Sequence, residues 1–529
     1  MLAAAPPPTG MTRFDLLVIL AYGAGMLAIG WYYSKRTRST EDYHLGGRSM
    51  RSSTVGLSLF ATLLSTITYL ALPGEMVNKG PILLWWMAGF PLVYLVVGYL
   101  LIPHFMRIKA TSGYEILEAA LGLRIRLLGA VIFLATRMLW MALIIFITAK
   151  IIIVEVMGWP PHATPYVAVV IGLVTVAFTY MGGLRAVVLT DVIQSFLLLG
   201  GAIASVIVIS VKLGGVGTWW PTEWSANWEH QPVFSWDPYT RATVVGSIVF
   251  MTIWWICTAG SDQMAIQRYL ATRDARTARR AFFVTLASNV VVTAVLASLG
   301  FALLGFFQSG QGHLPEHLTI AKDGDKIFPY FIVHYLPPGV TGLVISGLLA
   351  AAMSSLSSGI NSSGSVISVD FVDRIFGRSQ SEAVNVRRTK VVSLIVGLVA
   401  VALSSLMGMV TGNLMEVTVR TNHVFVAPLF GLFFMAIFVP FATPLATAVG
   451  ALAGCVVAIF IAYWDLISKA LVAAGLLAEA SPPLSFQWIS LIAIAVNMLV
   501  AIPLSLLGPQ TRRAANGLPL AETIENQDT

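Results

Sequence analysis

The sequence predicts an all-helical integral membrane protein with thirteen membrane-spanning segments. Of its 529 residues, 57% are hydrophobic and only 11% are charged, whereas a soluble domain carries roughly 25% charged residues. Apolar runs of about 20 residues, the length that crosses the hydrocarbon core of a bilayer, recur along the chain. The predicted spans are 13–33, 53–73, 82–104, 126–156, 164–181, 187–212, 242–260, 280–307, 338–363, 389–408, 415–438, 443–463 and 486–507.

The first apolar run is predicted to be a retained span and not a cleaved signal sequence. It is longer than the apolar region of a signal peptide, and no small-residue cleavage motif follows it. Cys257 and Cys455 both lie in apolar segments, which indicates neither a disulfide framework nor a zinc site.

The basic residues predict the orientation of the spans. With the N-terminus outside, and with residues at the edges of the spans counted in the adjoining loops, 22 of the 32 Lys and Arg residues fall on the inner side and 7 on the outer side. The other 3 lie well within spans, namely Arg137, Lys150 and Arg420. This asymmetry follows the positive-inside rule. We therefore expect a multi-pass protein of the plasma (inner) membrane with an outer N-terminus, a single membrane domain over 1–508 and a polar cytoplasmic tail over 509–529. The net charge of +7 then reflects topology and not nucleic-acid binding.

The segment from Gly56 to Glu75 predicts an interrupted span. Pro73 removes a backbone donor and Gly74 loosens the chain, so we expect a break there. Unwound backbone at membrane depth is tolerated only where it is buried in protein or lines a cavity, and broken helices form ion and solute sites in transporters. An ordinary kinked span is the alternative. The segment also carries hydroxyl groups at Thr62, Ser65, Thr66 and Thr68.

A second segment, 346–370, is rich in serine. Ser354, Ser357, Ser358 and Asn361 are spaced to share one helix face. Small residues also serve close helix packing, with hydroxyl groups bonded to the local backbone. The density of hydroxyl oxygens, which suit a hard cation such as sodium, favours an ion site.

Two of the charged residues inside the predicted spans, Asp191 and Arg137, are candidates for a functional role. A carboxylate within a membrane is a functional hypothesis by default, and Asp191 either binds an ion or pairs with an arginine. Arg137 costs about 3 kcal/mol unless it meets water, a partner or a ligand. Its planar fork suits a carboxylate, so it binds either an anionic solute or a buried acid of the protein.

Four stretches resemble, in the same order, those of the sodium:solute symporters of solute carrier family 5. The resemblance implies a LeuT-like core of five helices repeated in inverted topology, roughly 53–212 and 242–438. One extra span precedes this core and two follow it. The stretches are EDYHLGGRSM (41–50), TYMGGLRAVVLTDVIQ (179–194), GSDQMAIQRYLATRDARTARRA (260–281) and AAAMSSLSSGINSS (350–363).

The resemblance also implies two sodium sites, which favours two sodium ions per cycle. Backbone carbonyls and hydroxyls form the main site in the family, and some members have a second site beside it. The matching main-site residues are Ala61, Leu64, Ala351, Ser354 and Ser355. The matching second-site residues are Asp191, Ser354, Ser357 and Ser358.

The implied solute is a small organic anion such as a monocarboxylate or sialic acid, carried by alternating access. Sugar-transporting members place a glutamine where Thr68 stands, while LPGE (72–75) resembles the monocarboxylate, vitamin and iodide branch. The Ser65–Thr68 pair and Arg137 resemble the sialic-acid branch. The implied solute-binding residues are Ser65, Thr68, Phe90, Arg137, Trp254 and Trp255.

Other classes of protein fit the sequence less well. It contains no His or Cys cluster, no nucleophile elbow and no Walker-type loop, so we do not expect an enzyme. A sodium/sugar or polyol symporter is the alternative within the family. A membrane sensor or channel without coupled transport is the alternative outside it. The expected partners are the solute, sodium and the lipid bilayer, with neither nucleic acid nor an obligate protein partner.

Overall fold

A computed structural model describes residues 11–37, 39–108, 110–155, 159–316, 318–409 and 414–507, and these form helices joined by turns and loops. The predicted tail 509–529 lies outside the described residues. The main helices are α1 (Arg13–Ser34), α2 (Ser52–Leu63), α3 (Thr66–Asn78), α4 (Pro81–Arg107), α5 (Leu123–Ile147), α6 (Thr164–Leu213), α7 (Val244–Ser261), α8 (Gln263–Leu270), α9 (Ala275–Gln308), α10 (Val340–Val366), α11 (Glu382–Ser404), α12 (Leu414–Phe438), α13 (Pro444–Ala462) and α14 (Trp488–Leu507). Shorter helices connect them, among them Thr40–Leu45, Glu115–Leu121, Gly324–Tyr335, Asp373–Phe376 and Trp464–Ala473.

Within the described ranges, eleven helices are long and apolar enough to cross a membrane, and the bent pair α2–α3 forms a twelfth candidate. The count differs from thirteen because the predicted spans 164–181 and 187–212 run together in α6. Gly183 interrupts this 50-residue element with a non-helical backbone, at φ 61° and ψ −167°. A β-carbon added at Gly183 would lie 2.9 Å from the ring of Tyr43, so glycine is required there.

Helix α10 forms the centre of the bundle. It packs along α6, which also contacts α1 and α11, while α9 packs against α2 and α3, and α12, α13 and α14 pack together. In its most apolar stretch, 94% of the residues of α10 are buried, against 17% for α1. The serine-rich segment therefore lies inside the protein and not against lipid.

The helix break lies at a different place from the predicted one. The axes of α2 and α3 differ by 68°, and the break is at Leu64–Ser65, while Pro73 lies inside α3. Gly74 serves packing, since a β-carbon there would lie 2.9 Å from the backbone of Gly324. The prediction of a break at Pro73–Gly74 was therefore wrong, because a local capping interaction at Ser65, described below, decides where the helix restarts.

Candidate ion and solute site

The break between α2 and α3 leaves carbonyl oxygens without helical partners. The Leu64 amide donates to the Phe60 carbonyl at 2.9 Å, and the backbone then becomes extended at Leu64 and Ser65. The carbonyls from Ala61 to Leu64 therefore have no helical amide partner, whereas the Ser65 carbonyl accepts from the Tyr69 amide at 3.1 Å. The Ser65 hydroxyl accepts a hydrogen bond from the Thr68 amide at 3.3 Å and starts α3. The negative end of the α2 dipole thus points at the break, which favours a cation.

Helix α10 is joined to both sides of this break. The Ser355 hydroxyl donates to the Thr62 carbonyl at 3.0 Å. Nearer the beginning of α10, the Leu348 carbonyl accepts a hydrogen bond from the Thr66 hydroxyl of α3 at 3.0 Å. The serine-rich helix is therefore held against the end of α2 and the beginning of α3.

The predicted main-site residues lie on the two segments that form this junction. Ala61 and Leu64 flank the carbonyl that receives the Ser355 hydroxyl, and Ala351 lies one turn before Ser355 on α10. Ser354 is fully buried beside them. The available donors are neutral carbonyl and hydroxyl oxygens next to a helix C-terminus, the donor types that hold sodium in transporters with broken helices. The residues present fit a sodium ion.

Asp191 of α6 faces the same junction. Its carboxylate accepts hydrogen bonds from the hydroxyls of Ser58 at 2.5 Å and Ser354 at 2.6 Å. The Thr62 hydroxyl lies 3.4 Å away. The Ser357 hydroxyl instead donates to the Ser354 carbonyl within α10, at 3.1 Å. The structure thus brings Asp191 and Ser354 together and commits the Ser357 hydroxyl to its own helix.

Arg268 is the residue that sequence reasoning missed here. Its position between the predicted spans 242–260 and 280–307 predicts an inner loop, but it lies on α8 with 0% of its side chain exposed. Its Nη2 atom is 3.0 Å from Asp191 Oδ2, 2.6 Å from Ser358 Oγ and 2.5 Å from Thr62 Oγ1. The only signal in the sequence was its place in the 260–281 stretch, which does not reveal that α8 folds back into the core.

Two further buried arginines form ion pairs. Arg137 of α5 donates to the carboxylate of Asp262, whose other oxygen accepts from the Met264 amide at 2.8 Å and caps α8. Arg126, at the inner edge of the predicted span 126–156, has its Nε atom 2.6 Å from the buried carboxylate of Asp370. The positive charge of each arginine is therefore compensated by a carboxylate that is distant in the sequence.

A cavity opens beside the helix break. Its empty space is about 750 Å³, part of which is continuous with solvent. Ser65 and Arg137 lie outside its lining, although the Ser65 hydroxyl is 3.4 Å from that of Thr68. The lining includes four of the six predicted solute-binding residues, Thr68, Phe90, Trp254 and Trp255.

Polar groups of the lining were not predicted from the sequence. His423 stacks on Phe250 with ring centroids 4.6 Å apart, and its Nδ1 lies 2.7 Å from Ser490 Oγ. Asn422 and Thr418 line the cavity beside it. These residues come from α12, far from the motifs in sequence, so only the packing of α12 against α7 brings them to the site.

Several of the polar atoms around the cavity are buried without a hydrogen-bond partner in the described part of the chain. They are Trp86 Nε1, Trp254 Nε1, Thr418 Oγ1 and Asn422 Oδ1. The described lining contains no lysine, arginine, aspartate or glutamate. The cavity is therefore an aromatic pocket with neutral hydrogen-bonding groups, adjacent to the carbonyl oxygens of the helix break.

Comparison with known proteins defines the class to which this fold and site belong. Residues 43–458 match the model of the sodium:solute symporter family, and the chain belongs to that family. It is a sodium-coupled secondary transporter and not an enzyme, and sodium is its coupling ion.

Individual relatives include proteins from bacteria and animals. The chain is 32% identical over 393 residues to the sodium/sialic acid symporter SiaT of Proteus mirabilis, covering 72% of this chain and 75% of the relative. It is 27% identical over 495 residues to sodium-coupled monocarboxylate transporter 1 of Xenopus laevis, covering 92% and 77%. It is 26% identical over 455 residues to the sodium/sialic acid symporter NanT of Aliivibrio fischeri, covering 85% and 87%.

Solved structures share the fold. A substrate-bound outward-open state of a Na⁺-coupled sialic acid symporter aligns with a TM-score of 0.77 and 25% identity, covering 95% of this chain and all of that one. The nucleobase-cation-symport-1 family transporter Mhp1, in a closed conformation, aligns with a TM-score of 0.53 and 13% identity, covering 92% and 98%. These similarities confirm the predicted LeuT-like, all-helical fold class.

Proposed function

We propose that this protein imports a small organic anion, such as sialic acid or a monocarboxylate, together with sodium by alternating access. The single observation that carries the proposal is the meeting of Ser355 with the open carbonyl end of α2, directly beside the cavity. The relatives named above for sialic acid and for monocarboxylates support the choice of solute class.

In this proposal, Ala61, Leu64, Ala351, Ser354 and Ser355 hold the coupling sodium. Sodium supplies the positive charge that this set of neutral oxygens lacks. Leu64 belongs to both the ion-binding junction and the cavity lining, and Thr68 begins the wall on the other side of the break. Residues that hold α10 against α2 therefore also fix the cavity wall, which connects ion binding with solute binding.

The buried groups without partners support recognition of a carboxylate. The indole N–H groups of Trp86 and Trp254 have no acceptor in the described part of the chain. An unmet buried donor costs about 1–3 kcal/mol, and a carboxylate oxygen is a strong acceptor for such a donor. The aromatic faces of Phe90 and Trp255 add apolar contact for the carbon skeleton.

Ser65 and Arg137 act indirectly in this proposal. Ser65 positions Thr68 by capping α3. Arg137 holds Asp262 at the start of α8 and so fixes the end of α7, which carries Trp254 and Trp255. Both residues therefore shape the cavity without lining it.

A neutral polar solute, such as a sugar or polyol, is the second candidate. The absence of lysine and arginine from the described lining favours it, because no full positive charge there faces a solute anion. Hydroxyl groups of a sugar also satisfy N–H and C=O partners such as those of Trp254 and Asn422.

We further propose thirteen spans, with the N-terminus outside the plasma membrane and the C-terminus in the cytoplasm. A straight helix of the length of α6 would extend about 75 Å, more than twice the roughly 30 Å hydrocarbon core. Division at Gly183 gives two spans of ordinary length. The count then fits one extra span, a five-plus-five inverted repeat and two further spans within a single domain over 1–508.

Uptake by the purified full-length protein in proteoliposomes tests the function. A panel of N-acetylneuraminic acid, pyruvate, pantothenate, glucose, inositol and proline would be offered with an inward sodium gradient and, in parallel, with choline. Internal solute would be measured by mass spectrometry. Sodium-dependent accumulation of a carboxylate supports the proposal, and accumulation of only a neutral solute replaces it with the second candidate. Equal uptake in choline contradicts sodium coupling.

A further inference from the structure

The first helix, α1, reaches the interior of the protein although most of its surface is exposed. Only 17% of its most apolar stretch is buried, yet it packs against both α6 and α10. We infer that Tyr22 of α1 is a positioning residue of the main sodium site, and that it sets the affinity for sodium by holding Met353 of α10 in place. The inference rests on the proposed function, because it requires that Ser354 and Ser355 belong to that site.

The inward-facing residues of α1 lie on one face of the helix. Asp15, Tyr22, Met26 and Gly30 recur at intervals of one or two helical turns. Asp15, Met26 and Gly30 are buried and Tyr22 is partly buried, whereas Leu20 is 61% exposed. Tyr22 is therefore turned toward the neighbouring helices and not toward lipid.

The Tyr22 hydroxyl connects α6 with α10. The side-chain amide of Gln194, on α6, donates to the Tyr22 oxygen at 2.9 Å. The Tyr22 hydroxyl donates in turn to the Sδ atom of Met353 at 3.7 Å. A phenol is both a donor and an acceptor, so the same oxygen joins the two helices.

Apolar packing surrounds this hydrogen-bonded link. Met26, Phe178 and Met353 form a small buried cluster of their own, and Tyr22 packs against it. The Gln194 amide also lies 3.6 Å from the Sδ atom of Met26. The position of Met353 is therefore determined by residues of α1 and α6.

Met353 directly precedes the two serines of the proposed main site. Met353, Ser354 and Ser355 belong to one turn of α10, so a displacement of Met353 also displaces both hydroxyl groups. The Ser355 hydroxyl meets the Thr62 carbonyl at 3.0 Å, and its distance from an ion at the helix break depends on where this turn of α10 lies. Tyr22 thus acts on the ion site through α10.

Helix α1 is held on both sides of Tyr22. On the N-terminal side, Asp15 accepts hydrogen bonds from the Gly339 and Gly342 amides, both at 2.7 Å, at the beginning of α10. On the C-terminal side, Gly30 packs so closely on α6 that an added β-carbon would lie 3.0 Å from the Phe178 carbonyl oxygen. These contacts, and not the lipid-facing surface of α1, fix the position of the Tyr22 hydroxyl.

Equilibrium binding of ²²Na⁺ to the purified full-length protein in detergent, without solute, tests the inference. Tyr22→Phe keeps the ring and removes the hydroxyl, and it should raise the sodium concentration for half-saturation about threefold to tenfold, the range expected for one hydrogen bond. Tyr32→Phe, at a position of α1 that is 47% exposed, is the matched control and should bind as the wild type does.

A second variant tests whether Tyr22 acts through Met353. Met353→Leu keeps the volume and removes the sulfur acceptor, so it should shift half-saturation in the same direction. The double variant Tyr22→Phe/Met353→Leu should show no more than the larger of the two single shifts, because the two residues share one interaction. Additive shifts would overturn the inference, since Tyr22 would then act independently of Met353.

Thermal unfolding of the same samples separates a positioning role from a purely structural one. A Tyr22→Phe protein that unfolds at a lower temperature but binds sodium with unchanged half-saturation would overturn the inference and leave the main site intact. If Tyr22→Phe does not fold, Met353→Leu decides, and unchanged sodium binding in that variant overturns the inference. Absence of saturable binding to the wild type would contradict the main site itself, and with it both the inference and the proposed function.

Discussion

The Ser355 hydroxyl donates to the Thr62 carbonyl across 3.0 Å, which joins the buried helix α10 to the end of the broken helix α2. The two residues are 293 positions apart in the sequence, so this contact depends on the complete fold. The contact lies at the break between α2 and α3, next to Leu64, which lines the cavity.

Ser355→Ala should raise the sodium concentration for half-maximal uptake about tenfold, since the loss of one hydroxyl ligand is worth about 1–1.5 kcal/mol. Uptake measured against sodium concentration in proteoliposomes checks this. Ser357→Ala is the matched control, because that hydroxyl bonds within α10. Equal sodium dependence of the two variants would count against the main site.

Trp254→Phe should raise the solute KM about fivefold to tenfold with little change in kcat, because it removes one N–H donor worth about 1–1.5 kcal/mol and keeps the aromatic ring. Trp236→Phe, at an exposed position outside the cavity, is the control. An unchanged KM in Trp254→Phe would show that the indole N–H does not meet the solute.

Arg137→Gln should lower stability by about 3–5 kcal/mol, because it leaves Asp262 buried without its partner. The double variant Arg137→Gln/Asp262→Asn should recover most of the loss. Thermal unfolding in detergent, followed by intrinsic fluorescence, measures both. If the single variant is as stable as the wild type and loses only carboxylate affinity, then Arg137 contacts the solute directly.

Gly183→Ala should cost on the order of 1–3 kcal/mol from backbone strain alone, and the added methyl group also meets Tyr43. We expect a lower yield of monodisperse protein and a lower unfolding temperature. Gly200→Ala, in a regular part of α6 where an added methyl group contacts nothing within 4 Å, is the control and should be neutral or stabilising.

If one sodium ion accompanies one monovalent anion, then transport moves no net charge. Uptake into proteoliposomes should therefore be insensitive to a potassium diffusion potential set with valinomycin. A rate that rises several-fold when the interior is made negative would indicate a second sodium ion or a neutral solute. A count of ²²Na⁺ ions bound per chain by the purified protein in detergent separates these two explanations.

The sequence was sufficient for the fold class and for the elements that contribute to the ion site. The length of an apolar span is set by the thickness of the bilayer and not by tertiary contacts, so the spans could be predicted without a structure. The hydroxyl-rich face of α10 was readable for a similar reason, because helical periodicity is local. The proline at position 73 was misleading, since the weaker capping signal of Ser65 decided where the helix breaks.

Partners that are distant in sequence could not be predicted. Arg268 looks like a loop cation because its neighbours Arg273 and Arg276 are basic, and only the fold shows that α8 carries it to Asp191. The pairing of Arg137 with Asp262 links residues 125 positions apart. Both cases depend on which helices pack together, which local patterns do not encode.

Helix α10 is enclosed by other helices and has little contact with lipid. Nearly all of its most apolar stretch is covered by neighbouring helices, whereas α1 presents most of its surface outward. Acyl chains of different length change the tilt of lipid-facing helices, but they do not reach the helix that carries Ser355. We therefore expect the affinity for sodium to depend little on the acyl-chain length of the surrounding lipid.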